Sequence, residues 1–222
     1  GVDNLENKPN DTEETKLNKM MSLHCMVSWH CIADVNNRFI GDPLDIEMFE
    51  ATKWTMHEAK NDTNHEYVEL AKFEPPSGIY LFNKFKLTLI YKLNTIDLNL
   101  DKNLDSTIAV LKRFEFSSAL QRMSVITLKY GAEYKFHCYA KGSPEMIQSL
   151  SEPDSIPGDY YDVLEKYTED GLRVLALAYK ELPKLTPNEV SEIKREEIEC
   201  NLKFLGFLIM ENKIKKETQP WI

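Results

Sequence analysis

A chain of 222 residues, 42% apolar and 28% charged, has the size and composition of one folded domain with a real interior, which excludes an unfolded polymer. Its formal charge of −9 excludes nucleic acid as the main partner, because a phosphate backbone needs a positive field, yet leaves room for one nucleotide in a locally basic cleft. No apolar run reaches the ~18 residues of a membrane helix, and no charged-then-apolar leader opens the chain, so direct membrane insertion of this segment is not expected.

Residues 1–16, Gly1 to Lys16, are polar and rich in Asn, Asp and Glu, and read as a linker. Met20 to Cys31 carries apolar residues at helical spacing and predicts a first helix. The stretch from His24 to Cys31 (HCxxxxHC) invites a metal reading. On a helix, however, Cys25 and Cys31 stand about 120° apart and His24 and Cys31 roughly 10 Å apart along the axis. Ligands so arranged do not converge on one ion, and ordinary partly buried residues are the favoured reading. The four cysteines, Cys25, Cys31, Cys138 and Cys200, show no disulfide framework and suit a reducing compartment.

A helix start is marked at Gly41–Asp45. Asp42 suits the N-cap, Pro43 the first helical position, and Asp45 the reciprocal acidic position of a capping box. The helix is expected to run to about Glu58. Asn61–Gly78, broken by Pro75-Pro76, reads as a loop. Ile79–Leu93 reads as a strand or hairpin pair, and Asn94–Ser106 as a second loop.

From Thr107 the pattern sharpens. Ile108–Glu115 and Met123–Tyr130 predict strands, Lys129–Ala132 a turn, and Glu133–Ala140 a partner strand. Met146–Leu150 predicts a short helix. Tyr160–Glu169 predicts another, with Gly171 placed to end it. Arg173–Tyr179 is almost continuously apolar after its first residue, as a strand covered on both faces would be. Thr186-Pro187-Asn188-Glu189 is a second capping box, opening a helix to about Glu197, and Leu202–Met210 is a last strand. The sum is a mixed α/β (α+β) domain, a twisted and largely antiparallel sheet flanked by helices.

Four segments can carry chemistry, and each also has a plain structural explanation. Lys141 in Lys141-Gly142-Ser143-Pro144-Glu145 offers a cation for an adenine face or a phosphate, and Gly142 lets backbone approach a ligand; a strand-ending turn with a solvated lysine explains the same residues. Phe114–Ser118, running into Gln121–Ser124, groups a flat ring with the soft thioether of Met123, as a purine requires, or supplies core phenylalanines. Asp45 accepts a hydrogen bond from a purine amino group, or satisfies its own helix terminus. Arg173, at the mouth of the apolar strand, presents paired donors to phosphate oxygens, or forms a surface ion pair.

In their order and separation, Phe116, Met123-Ser124, KGSPE at Lys141–Glu145 and GLRVLALAYK at Gly171–Lys180 resemble the nucleotide-binding motifs of P-type ATPases. The segment Asp42–Phe49 resembles the type V, polyamine- and cation-transporting branch, and Phe207–Lys215 with Thr218 resembles the return toward a phosphorylation domain. The resemblance implies a nucleotide-binding domain over residues 17–205 and a return segment over 206–222. It implies that Phe116 stacks on adenine, Lys141 and Gly142 line the adenine pocket, Asp45 approaches the adenine amino group, Met123 touches the base and Arg173 reaches toward the phosphates. Departures are Ser143 where the family usually has alanine, Ser118 where other branches carry a basic residue, and Gln121 where they carry lysine. Arg122 is a substitute only if it points the same way as Met123, which strand alternation opposes.

The sequence contains no DKTGT, GDGxND or TGES motif, so the resemblance implies a chain that binds ATP or ADP without hydrolysing ATP. It implies Mg²⁺ held largely by a phosphorylation domain. Phosphorylation, actuator and transmembrane domains of the same parent chain are the implied partners, and the cytoplasmic side of a multi-pass membrane protein the implied location.

Overall fold

Residues 12–28, 32–34, 38–58, 67, 69–74, 88–90, 107–130 and 133–210 are described by a computed structural model of the chain. From Ile108 onward, alternating and fully apolar segments build successive long strands: β6 (Ile108–Ser117), β7 (Arg122–Lys129), β8 (Lys135–Gly142), β9 (Arg173–Leu182) and β10 (Lys203–Met210). From β7 on, each pairs antiparallel with the strand before it. Earlier pieces of chain extend this sheet on both sides. β3 (Thr55–Glu58) and β4 (Ala71–Glu74) add to β6, while β5 (Thr88–Ile90) pairs with β10, giving the order β3-β4-β6-β7-β8-β9-β10-β5. A separate ribbon joins β1 (Ile32–Asp34) to β2 (Phe39–Gly41).

Both faces of the sheet are covered, which is why β7, β8 and β9 are apolar along most of their length. On one face Val125, Tyr139 and Leu177 pack beneath α1 (Glu13–Val27) and α2 (Pro43–Thr52), against Met21, Cys25, Met48 and Phe49. On the other, Ala140, Ala176 and Phe207 meet Ile147 of α3 (Pro144–Leu150) and Tyr160 of α4 (Tyr160–Glu169). Beside them Ile126, Phe136 and Cys138 meet Val190 of α5 (Pro187–Glu192) and Ile198 of α6 (Arg195–Ile198). Fully buried Tyr139, Phe49, Phe73 and Phe136 each contribute roughly 2 kcal/mol from apolar burial.

Local signals hold where they are strong. α4 spans the predicted residues, and Gly171 follows it with φ 71, its N–H donating to the Thr168 carbonyl at 3.0 Å. The capping box at Thr186 forms, with Glu189 accepting from the Thr186 N–H at 2.7 Å.

Other expectations are corrected. α1 begins at Glu13, ahead of Met20, and ends at Val27, short of Cys31. α2 stops at Thr52 instead of continuing to Glu58. Thr52 Oγ1 donates to the Phe49 carbonyl at 2.6 Å and accepts from the Trp54 N–H at 3.3 Å, while Lys53 takes φ 57, turning the chain into β3. Part of the segment read as a loop is a strand: in β4, Ala71 and Phe73 are buried and the pairing runs on to β6. The single helix expected after Thr186 is two, α5 and α6, because the Lys112 ammonium takes up the Ser191 and Ile193 carbonyls at 2.6 and 2.8 Å. Extended backbone at Ile193 and Lys194 separates them. The loop expected at Asn94–Ser106, most of Ile79–Leu93, and Glu211 to Ile222 lie outside the described residues.

Candidate functional site

The predicted residues collect at one end of the sheet, and the strand register shows how. Phe116 is the penultimate residue of β6, whose last residue, Ser117, pairs with Arg122 at the start of β7. Arg122 pairs with Gly142 and Met123 with Lys141. Gly142 in turn pairs with Ala176, and Arg173 opens β9 at that same end. Asp45 arrives from a different layer, in the first turn of α2.

Strand alternation then sorts them by face. Met123 and Lys141 point toward α1 and α2, where the Lys141 ammonium donates to the Asp45 carboxylate in a buried ion pair. Both charges lose most of their water, and the pairing offsets part of that cost. Met123 lies within the same core, at 3% exposure. Arg173 shares a face with Leu175 and Leu177. Leu177 pairs with Lys141, so Arg173 lies roughly 13 Å further along the strand. Phe116 stands at 60% exposure beside the tip of the β6–β7 hairpin, a free aromatic platform. Gly142 allows a close approach, but the atom that approaches is the Gln121 carbonyl: a Cβ at position 142 would lie 2.5 Å from it.

Arg122 turns to the opposite face, as alternation requires, and its guanidinium is committed there. Its Nε donates to Glu199 Oε2 at 2.6 Å, Ser124 Oγ donates to Glu199 Oε1 at 2.6 Å, and Arg195 Nε stands 3.6 Å from the same carboxylate. Glu199 is buried directly behind the strand ends that carry the site. Sequence reading missed it. Glu199 sits in a Glu- and Lys-rich stretch, and its apolar neighbours Ile198, Cys200 and Leu202 are signs of burial that do not single out the carboxylate itself.

Beneath α1 lies a second group of titratable side chains. Tyr139 Oη is 3.3 Å from His24 Nδ1, and the His137 ring stacks on Tyr139. Burial holds His24 well below the ordinary imidazole range, with Lys129 and His137 adding to the effect. Burial also lowers His137 to about 4, against an opposing pull from Glu181. The Cys138 thiol is fully buried, and that burial pushes its pKa far up. In the HCxxxxHC stretch Cys25 is a core residue, while His30 and Cys31 lie outside the described residues. Among the described residues no set of His, Cys, Asp and Glu side chains fits a metal ion. A cleft of about 430 Å³ runs along β6 and α5, lined by Tyr67, Lys112, Arg113 and Ser191 among others, and contains none of the predicted site residues. The candidate site is instead an open rim: an aromatic platform, an internal ion pair and an outlying arginine.

Comparison with known proteins identifies the family. The family described as P-type ATPase, cytoplasmic domain N, matches residues 87–217. The chain is 35% identical over 235 aligned residues to a polyamine-transporting ATPase 13A3 of Macaca fascicularis, covering 98% of this chain and 18% of that protein. It is 38% identical over 194 residues to a probable cation-transporting ATPase 13A5 of Homo sapiens, covering 87% of this chain and 14% of that protein. To the vacuolar cation-transporting ATPase YPK9 of Saccharomyces cerevisiae it is 34% identical over 196 residues, 87% of this chain and 13% of that protein. The chain thus spans less than a fifth of the length of these curated relatives. With the family match covering most of the chain, and the sheet and its flanking helices in place, the chain belongs to the P-type ATPase cytoplasmic N domains.

Proposed function

We propose that this chain is the ATP-binding domain of a cation- or polyamine-transporting P-type ATPase. The observation that supports it most directly is the meeting of Lys141 with Asp45 at the sheet end that also carries Phe116, with Arg173 further out on the lysine's face. That spacing provides an adenine end and a phosphate end. Phe116 is the stacking platform, worth about 1–3 kcal/mol by analogy with base stacking elsewhere. The Asp45 carboxylate accepts from the adenine amino group with the lone pairs that Lys141 leaves free, Met123 backs that end of the rim from the core while Gly142 gives the Gln121 carbonyl room beside it, and the Arg173 guanidinium meets phosphate oxygens.

Binding is weak by design. A stacked adenine with few phosphate contacts supplies ~4–6 kcal/mol, a dissociation constant from about 1 mM to tens of micromolar. The domain then acts by positioning, carrying the γ-phosphate to an aspartate in the phosphorylation domain of the parent protein. Mg²⁺ accompanies the nucleotide and belongs mainly to that other domain; no step here runs through residues of this chain and a metal. The transported solute is a cation or polyamine, in keeping with the names of the relatives. The domain works on the cytoplasmic side beside the actuator and transmembrane parts of the same protein. Among the described residues no helix is long and apolar enough to cross a membrane.

The test is titration of ATP, ADP, AMP and GTP, with and without Mg²⁺, followed by amide NMR shifts. Weak binding of all three adenine nucleotides, within about ten-fold of one another, is expected, with little dependence on Mg²⁺ and a poor response to GTP. No shifts at millimolar nucleotide would overturn the reading.

A further inference from the structure

We infer that Gln121 is a positioning residue whose backbone carbonyl latches the tip of the β6–β7 hairpin to the end of β8, and so sets Phe116 relative to Lys141. The inference rests on the nucleotide-binding reading of the rim. Its observations are separate from that reading.

The hairpin tip is tightly closed. The Leu120 and Gln121 N–H groups both donate to the Ser117 carbonyl, at 3.1 and 2.7 Å. Gln121 takes φ 49, a left-handed backbone that disfavours any residue with a Cβ. This conformation aims its carbonyl at β8, where it accepts the Ser143 N–H at 3.0 Å. The Gln121 side chain adds a second bond, its Oε1 accepting from Ser143 Oγ at 3.3 Å. Ser143 also caps α3, its Oγ accepting from the Met146 N–H at 3.3 Å. Hairpin tip, strand end and helix start therefore share one set of bonds.

Gly142 completes the latch. A Cβ there would lie 2.5 Å from the Gln121 carbonyl oxygen and 2.8 Å from the Arg122 Cβ, both nearer than real contacts come. Gly142 is not among the glycines with left-handed φ, so what glycine supplies here is space, not backbone freedom. That space is filled by the Gln121 carbonyl. Phe116 projects from the same hairpin, next to the register shift between Phe114 and Ser117, and Lys141 precedes Gly142 on β8. Whatever fixes the tip to residues 142 and 143 fixes the ring to the ammonium.

The experiment compares the 222-residue chain with Gln121→Gly and Gly142→Ala, by amide NMR, amide hydrogen exchange and ADP titration. In the free wild-type chain the Ser143 amide exchanges slowly. Gly142→Ala shifts the amides of residues 116–121 without nucleotide and weakens ADP about ten-fold. Gln121→Gly, which keeps the carbonyl and relieves the backbone, weakens ADP only about two-fold. Equal weakening by both variants would assign the Gln121 side chain to the ligand and overturn the latch. So would a Gly142→Ala chain that binds ADP poorly while its hairpin amides stay in place, since glycine would then be clearing space for the nucleotide. If Gly142→Ala does not fold, the wild-type Ser143 amide decides, and exchange at the free-peptide rate overturns the inference. A wild-type chain that ignores ADP would sink the nucleotide reading alone, because the exchange and free-state shift measurements need no nucleotide.

Discussion

Lys141 and Asp45 stand 96 residues apart in the chain, and their side chains close a buried ion pair that ties α2 to the end of β8. Removing Asp45 takes an ion-pair partner from a buried ammonium, so Asp45→Ala is expected to destabilise the domain by about 3 kcal/mol. Replacing both by apolar residues, Asp45→Leu with Lys141→Met, should recover most of that loss while abolishing nucleotide-induced shifts. Urea unfolding and ADP titration of the three chains check this. An Asp45→Ala chain as stable as wild type would mean the pair contributes nothing in solution.

Phe116 behaves oppositely. At 60% exposure it has little to lose in folding, so Phe116→Ala should leave the unfolding midpoint nearly unchanged. ADP should bind several-fold more weakly, the equivalent of roughly 1–2 kcal/mol of lost stacking, and Phe116→Trp should restore it. Calorimetric titration beside a thermal melt separates the two effects.

Acid should weaken the fold through the imidazoles beneath α1. Both His24 and His137 have folded-state pKa values below the ordinary 6.5, so the unfolded chain takes up protons first as pH falls. Their contribution is therefore fully present above pH 6.5 and is lost as pH falls toward about 4, the value at His137. Urea midpoints measured from pH 7.5 to 4.5 should drop over this window, and His137→Phe should flatten part of the slope. A flat profile in the wild-type chain would contradict the burial of these rings.

Glu199 holds Arg122, Ser124 and Arg195 behind the site. Glu199→Ala leaves the Arg122 guanidinium buried and uncompensated, so a loss of about 3 kcal/mol is expected, with Arg195→Ala costing clearly less because its contact is longer. If Arg122 served phosphate instead, Arg122→Ala would spare stability and lower affinity for ATP more than for AMP. The structure leads us to expect the reverse: a lower melting temperature and an unchanged ratio of ATP to AMP affinity.

What could be read without coordinates was local. The bounds of α4, the left-handed Gly171 after it and the Thr186–Glu189 box depend on residues within a few positions of one another, and all three appear where the sequence places them. β7 to β10 were legible because both faces are covered and the apolar runs are long, and β6 because its first half is buried. The end of α2 was not, since it depends on a threonine bonding back to Phe49 and on an unusual Lys53 backbone, in a segment with helical composition. β4 is a strand because β3 and β6 offer it partners on both sides. In the site, residue types were legible and partners were not: nothing near Asp45 in sequence points to Lys141, and nothing near Arg122 points to Glu199. Such pairings exist only after the strands have chosen their register.

β6 shifts register against β7 twice, between Val110 and Lys112 and again between Phe114 and Ser117. Each shift adds a residue that has no counterpart across the ladder, and each reverses which side the following residues present. The direction of Phe116 is therefore counted out in residues, not chosen by their chemistry. A single deletion between Val110 and Ser117, even of a residue that touches nothing, would leave a sound strand with the Phe116 ring turned to the opposite face of the sheet.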